Sequence, residues 1–169
     1  MKRFLPLLLL IFLVTSCKSK KTYSSSKRTT RTVRTTPNVK PPKNAETLVN
    51  YAKKFEGTRY KYGGTTKRGM DCSGLIFTTF TDNNLSIPRT TKGLATHGNW
   101  IDLKEVNVGD LVFFATKKNS RNVNHVGLVT NVRTGNIEFI HSSSSRGVMI
   151  SSLAEKYWYF AFVQARRVL

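Results

Sequence analysis

Helical apolar spacing early in residues 45–169, followed by alternating strand-like segments, predicts an α+β domain with N-terminal helices packed on an antiparallel β-sheet. Glycine turns between the strand-like segments, such as Thr134-Gly135-Asn136, support hairpin connections. With 39% hydrophobic and 11% aromatic residues in a chain of 169, there is enough apolar material for one ordinary core, which excludes wholesale disorder.

The elements follow in order. Residues 45–56 set Leu48, Val49, Ala52 and Phe55 at helical spacing, and Gly57 is placed to cap the end. Residues 59–65 read as a loop. Residues 72–80 predict a second helix with Ile76, Phe77 and Phe80 on one face and Asp71 or Ser73 at its start. Residues 90–97 predict a short third helix. Segments 110–115, 125–131, 137–142, 148–152 and 157–166 read as strands. No repeat and no second folded domain is visible.

The charge is unevenly placed. The chain carries 28 Lys and Arg against 9 Asp and Glu, a net charge of +19. Residues 17–44 hold nine of the cations and no acid, whereas 45–169 is only moderately basic at +8. Nucleic-acid binding is disfavoured, because the cations concentrate in a tail without interleaved aromatics and the chain begins like an exported one.

Residues 1–3 form a basic head and residues 4–14 an apolar run of 11, the length of a signal-peptide core and too short to span a bilayer. Val14-Thr15-Ser16-Cys17 resembles the bacterial lipobox. That resemblance implies cleavage after Ser16 and lipidation of Cys17, with several acyl chains giving stable anchoring to the envelope, expected at the outer membrane facing the periplasm. The alternative is an ordinary secretory signal with a chance cysteine. Residues 17–44, with Pro37, Pro41 and Pro42 and no apolar periodicity, read as a flexible tether reaching about 30 Å. Its cations suit anionic lipids or wall polymers, and a solvated spacer is an equal reading.

Once Cys17 is lipidated, Cys72 is the one remaining cysteine. In Asp71-Cys72-Ser73-Gly74 it opens a helix, where the positive end of the helix dipole is expected to favour the thiolate and nearby N–H groups to hold an oxyanion. A small buried hydrophobe is the bland alternative. A cysteine nucleophile needs a base and the base an orienting group. His125 opens one strand segment and His141 closes the next, so antiparallel neighbours would set them side by side. Histidines satisfied in the core or at the surface, or a Cys/His/His zinc site, are the competing readings. No short-range ligand pair favours zinc. His97 lacks strand context and reads as surface or structural.

The blocks Gly57-Thr58-Arg59-Tyr60-Lys61-Tyr62-Gly63-Gly64, Asp71-Cys72-Ser73-Gly74-Leu75-Ile76, Ile87-Pro88-Arg89-Thr90, Val108-Gly109-Asp110-Leu111-Val112-Phe113-Phe114, His125-Val126-Gly127-Leu128-Val129 and Ile140-His141 resemble, in order and spacing, the NlpC/P60 family of bacterial cell-wall cysteine peptidases. The resemblance covers nearly all of 45–169 and implies a papain-like core. It implies Cys72 as nucleophile, His125 as general base and then acid, and His141 as third polar member. Tyr60 matches the family's active-site tyrosine, and Asp71 and Ser73 match residues lining the site. Arg59, Lys61 and Arg89 are candidate partners for substrate carboxylates. The implied reaction is hydrolysis of peptidoglycan stem peptides, usually between γ-D-glutamate and the following diamino acid, with no metal or cofactor. A monomer, with an adaptor as an optional partner, is expected. Another thiol amidase or acyltransferase chemistry, or a non-catalytic wall-binding role, are the alternatives. The polar, basic stretch 117–124 departs from the family pattern.

Overall fold

The computed structural model describes residues 43–169. The expected signal segment 1–16, the Cys17 lipidation site and the tether up to residue 42 lie outside the described residues. Helix α1 (Lys43–Lys53) starts inside the segment read as tether and buries Leu48, Val49 and Ala52. It then tightens into i→i+3 turns, with Phe55 N–H donating to the Ala52 carbonyl at 3.0 Å, and reverses at Gly57, whose φ of +79° suits glycine.

The segment read as a loop contributes to a small hairpin, β1 (Thr65–Thr66) with β2 (Gly69–Met70). Strands of two residues carry no periodicity that sequence alone reveals. Tyr60 bridges Met70 beside it. Helix α2 (Cys72–Thr81) is capped by Asp71, whose carboxylate accepts the Gly74 N–H at 2.5 Å. Such a cap contributes about 1 kcal/mol. Helix α3 (Thr91–Leu94) is shorter than the segment expected and is capped by Thr90.

Six strands form one antiparallel sheet. They are β3 (Asn99–Ile101), β4 (Leu111–Phe114), β5 (His125–Arg133), β6 (Asn136–Ser143), β7 (Gly147–Ser152) and β8 (Phe162–Arg167), in the order β3-β8-β4-β5-β6-β7. The mixed α+β architecture is the one expected. Segment 157–166, read as a strand, divides into helix α4 (Lys156–Ala161) and β8. The aromatic run Tyr157-Trp158-Tyr159-Phe160 has no period of its own, and burial of Trp158 and Ala161, three apart, selects the helix. Strand β3 was missed because only Ile101 of its three residues is buried.

Both sheet faces are covered. On one side Leu111, Phe113, Val126, Leu128 and Ile140 pack with Leu48, Leu75, Ile76 and Phe80 of the helices. On the other, Val112, Phe114, Val129 and Phe139 pack with Trp158 and Ala161. This explains why all four residues of β4 are buried instead of alternating. Gly127 is obligatory: a Cβ there would lie 2.5 Å from Cδ2 of Phe139. Arg167, on β8, holds Asp110 at the start of β4 through bonds of 2.8 and 2.9 Å.

Candidate active site

Cys72 is the first residue of α2 and is only 8% exposed. The Thr91 hydroxyl lies 3.6 Å from its Sγ. Cys72 and Val126 belong to one buried cluster, so the start of β5 packs on the same core as the thiol. The Ser142 hydroxyl of β6 donates to the Met70 carbonyl of β2 at 2.8 Å, which ties the sheet to the chain two residues before Cys72.

The structure brings His125 and His141 together. Their rings face each other through Nε2 of His125 and Nδ1 of His141, 2.9 Å apart. His141 Nε2 in turn lies 3.0 Å from Oγ of Ser151. Three polar side chains therefore run across three neighbouring strands, β5, β6 and β7. The β6–β7 register explains the last step: His141 lies opposite Met149 and Phe139 opposite Ser151, so His141 and Ser151 are diagonal neighbours. Trp158 completes the arrangement. Its ring stacks on His125 with centroids 5.4 Å apart and meets His141 edge-on at 4.7 Å.

Burial sets the protonation states. It depresses His125 to about 4 and His141 to about 3, the latter aided by the charges of His125 and Arg146, so both rings are neutral near pH 7. Burial likewise pushes the Cys72 thiol above its ordinary value, although the Thr91 hydroxyl and the Val126 and Ser73 amides pull the other way. The expectation of a resting thiolate is thereby corrected, because desolvation outweighs the favourable helix start.

Asp71, Ser73 and Arg89, expected to line the site or meet substrate, bond to one another. Arg89 Nη1 donates to Asp71 Oδ1 at 3.1 Å and to Ser73 Oγ at 2.9 Å, while Nη2 reaches Asp71 Oδ2 at 3.2 Å. Arg89 is thus a strut with its charge matched by Asp71, not a free cation awaiting a carboxylate. Burial alone would raise the Asp71 carboxyl, but the bonds from Arg89, Gly74 and Gly63 hold it below the usual carboxylate range. The Gly63 N–H reaches Asp71 at 2.7 Å, which draws the glycine loop over the start of α2. A Cβ on Gly74 would collide with the Gly64 carbonyl there.

Tyr60 is half-buried and bridges Met70, two residues before Cys72, and burial chiefly raises its hydroxyl above the ordinary value. Arg59 and Lys61 are exposed, with Arg59 Nε donating to the Arg68 carbonyl at 3.0 Å. His97 is exposed. Sequence reasoning missed Trp158 and Ser151. The first was hidden by the strand reading of its segment, and the second had no mark among the serines around it. Among the described residues no three His, Cys, Asp or Glu side chains converge as metal ligands, and no helix is long and apolar enough to cross a membrane.

Residues 57–167 match the model of the NlpC/P60 family. The chain belongs to the NlpC/P60 family. The probable endopeptidase NlpC of Escherichia coli K12 is 47% identical over 68% of this chain and 71% of its own length. The murein DD-endopeptidase MepS/murein LD-carboxypeptidase of the same strain is 40% identical over 68% of this chain and 58% of its own length. Among solved structures, an NlpC/P60 family protein from Bacillus cereus ATCC 10987 superposes with a TM-score of 0.67 at 32% identity, covering 74% of this chain and 40% of that one. This NlpC/P60 domain thus spans little more than half of some relatives, and their remaining segments lie outside the match.

Proposed function

We propose that this NlpC/P60 protein is a peptidoglycan endopeptidase that cleaves stem-peptide amide bonds, between γ-D-glutamate and the following diamino acid, by cysteine chemistry. The observation that carries the reading is the row of His125, His141 and Ser151, on the sheet whose Val126 shares a core cluster with Cys72. The endopeptidase names of its relatives point the same way.

The proton arrangement follows from the bonds. Nε2 of His125 is engaged with His141, so Nδ1 is the nitrogen left for the thiol. For Nδ1 to accept a proton, Nε2 must carry the hydrogen and donate it to His141 Nδ1. His141 then carries its hydrogen on Nε2 and donates to Ser151. The resting pair is a neutral thiol and a neutral imidazole. As Sγ attacks the scissile carbonyl, its proton passes to His125 Nδ1 and the S–C bond forms. His141 and the face of Trp158 stabilise the transient imidazolium. His125 then protonates the leaving amine, the C–N bond breaks, and a thioester remains. Water, deprotonated by the same histidine, releases the acid and restores the thiol.

The oxyanion requires donors. The Gly74 amide is taken by the Asp71 carboxylate and the Leu75 amide by the Asp71 carbonyl, so the Cys72 amide and the Tyr60 hydroxyl serve. The +8 of residues 45–169 attracts stem peptides, which carry several carboxylates. Lipidation at Cys17, an envelope location at the outer membrane and a tether over 17–44 belong to the same proposal.

Mass spectrometry of muropeptides incubated with the full chain tests it. The expected result is loss of the diamino-acid portion with a new free amine, absent with Cys72→Ala. Unchanged muropeptides, with a folded protein and a titratable thiol, would overturn it.

A further inference from the structure

Helix α4 has two sides. Trp158 turns inward onto His125 and His141, whereas Tyr157, Tyr159 and Phe160 stand out in solvent, Phe160 with 67% of its surface exposed. Isolated exposed aromatics need no explanation, but three on one short helix form a patch of the kind that marks a binding surface. Two open hollows flank it. One, of about 480 Å³, lies between Lys117, Lys118, Lys156, Tyr157 and Phe160. The other, of about 290 Å³, lies among Leu103, Arg121, Leu153 and Tyr159, and Phe160 borders both. The rim is cationic. Among the described residues no acid lines either hollow, and Glu155, next to Lys156, accepts the Ser152 N–H at 2.8 Å.

We infer that this face is a second binding surface for the wall polymer itself, taking a glycan strand and its acidic stems beside the catalytic cleft. A pyranose ring presents flat C–H faces that bury well against aromatic side chains, and carboxylates along the same polymer match the lysines and Arg121. Few other ligands alternate these two chemistries at short intervals. A lipid surface would favour one continuous apolar face over two separate hollows with an aromatic ridge between them. The location fits as well, since α4 is about 10 Å across and its inner side touches both histidines. The stretch 117–124, which departs from the family pattern, supplies three of the four cations. The assignment rests on the wall-peptidase reading for the identity of the polymer.

The test is co-sedimentation of the full chain carrying Cys72→Ala with purified sacculi, so that the polymer stays intact. Adding Phe160→Ala, or Lys117→Ala with Lys118→Ala, is expected to weaken retention about tenfold, the scale of losing one buried aromatic or a pair of ionic contacts. Trp100→Ala removes an aromatic that is 61% exposed but borders neither hollow, and retention should be unchanged. Circular dichroism of each variant checks folding. Equal retention by all variants would overturn the inference, as would loss of binding to anionic vesicles without loss on sacculi. Muropeptide turnover by the unmutated chain is scored separately: its absence would refute the peptidase reading while the sacculus result still decided this one.

Discussion

Replacing Ser151 with alanine deletes the acceptor for the His141 Nε2–H at a position only 4% exposed, beside a histidine with no exposure. A buried donor left without a partner costs about 1–3 kcal/mol. His141 escapes that cost by moving its hydrogen to Nδ1, where it donates to His125 Nε2. His125 must then carry its own hydrogen on Nδ1, the nitrogen needed to accept the thiol proton. Whether the protein bears the cost in the transition state or shifts the tautomer, the same 1–3 kcal/mol converts to roughly a fivefold to 150-fold fall in kcat/KM. Steady-state hydrolysis of a defined muropeptide measures it, and Ser151→Thr, which restores a hydroxyl, should recover most of the loss. Nitrogen-15 NMR of labelled histidine reads the tautomers directly and separates this role from simple packing. A folded Ser151→Ala variant with unchanged kcat/KM and unchanged imidazole tautomers would refute the argument.

Because burial depresses His125 to about 4, the acidic limb of kcat/KM should fall near that value and not near 6.5, as a pH–rate profile will show. The same depressed histidines make stability rise with pH between their folded values and about 6.5, since the unfolded chain binds more protons there; chemical denaturation across that range checks the sign. Asp71, held below its usual range, contributes stability that is present above about 3.8 and lost as pH falls further. Arg89→Ala should therefore cost about 1 kcal/mol at neutral pH and raise the pH of acid unfolding, and an identical acid transition would count against the strut. Cys72→Ala and His125→Ala should abolish turnover, with His141→Ala losing less because it orients the ring and does not move the proton to substrate; equal losses in two folded histidine variants would contradict that division.

The fold was legible where apolar spacing recurs over several turns or strands. Ile76 and Phe80 mark the inner face of α2, and Val126 and Leu128 mark the helix side of β5. It was illegible where elements are short or continuously apolar: β3 buries one residue, and the aromatic run of α4 fits either period until Trp158 finds the histidines. At the site, residue type and position at segment ends made Cys72, His125 and His141 candidates, and the family resemblance chose between that reading and satisfied histidines or a zinc site. Ser151 depends on register across two strands, which no local pattern encodes. The direction of the Cys72 shift was misjudged for a related reason. A helix start is visible in Asp71-Cys72-Ser73-Gly74, but the depth of burial is set by β5 and α3 arriving from elsewhere in the chain.

The bond from Ser142 to the Met70 carbonyl has a consequence in time as well as in space. His125 lies 53 residues beyond Cys72, and the partners that orient it come later still. Closing so long a segment is slow and must be completed before its contacts reward it. A chain still being made, or kept extended, therefore holds an ordinary cysteine and unpaired imidazoles. On the proposed mechanism the thiol and the two imidazoles come together only when the last hairpins are seated, so activity would follow completion of the fold.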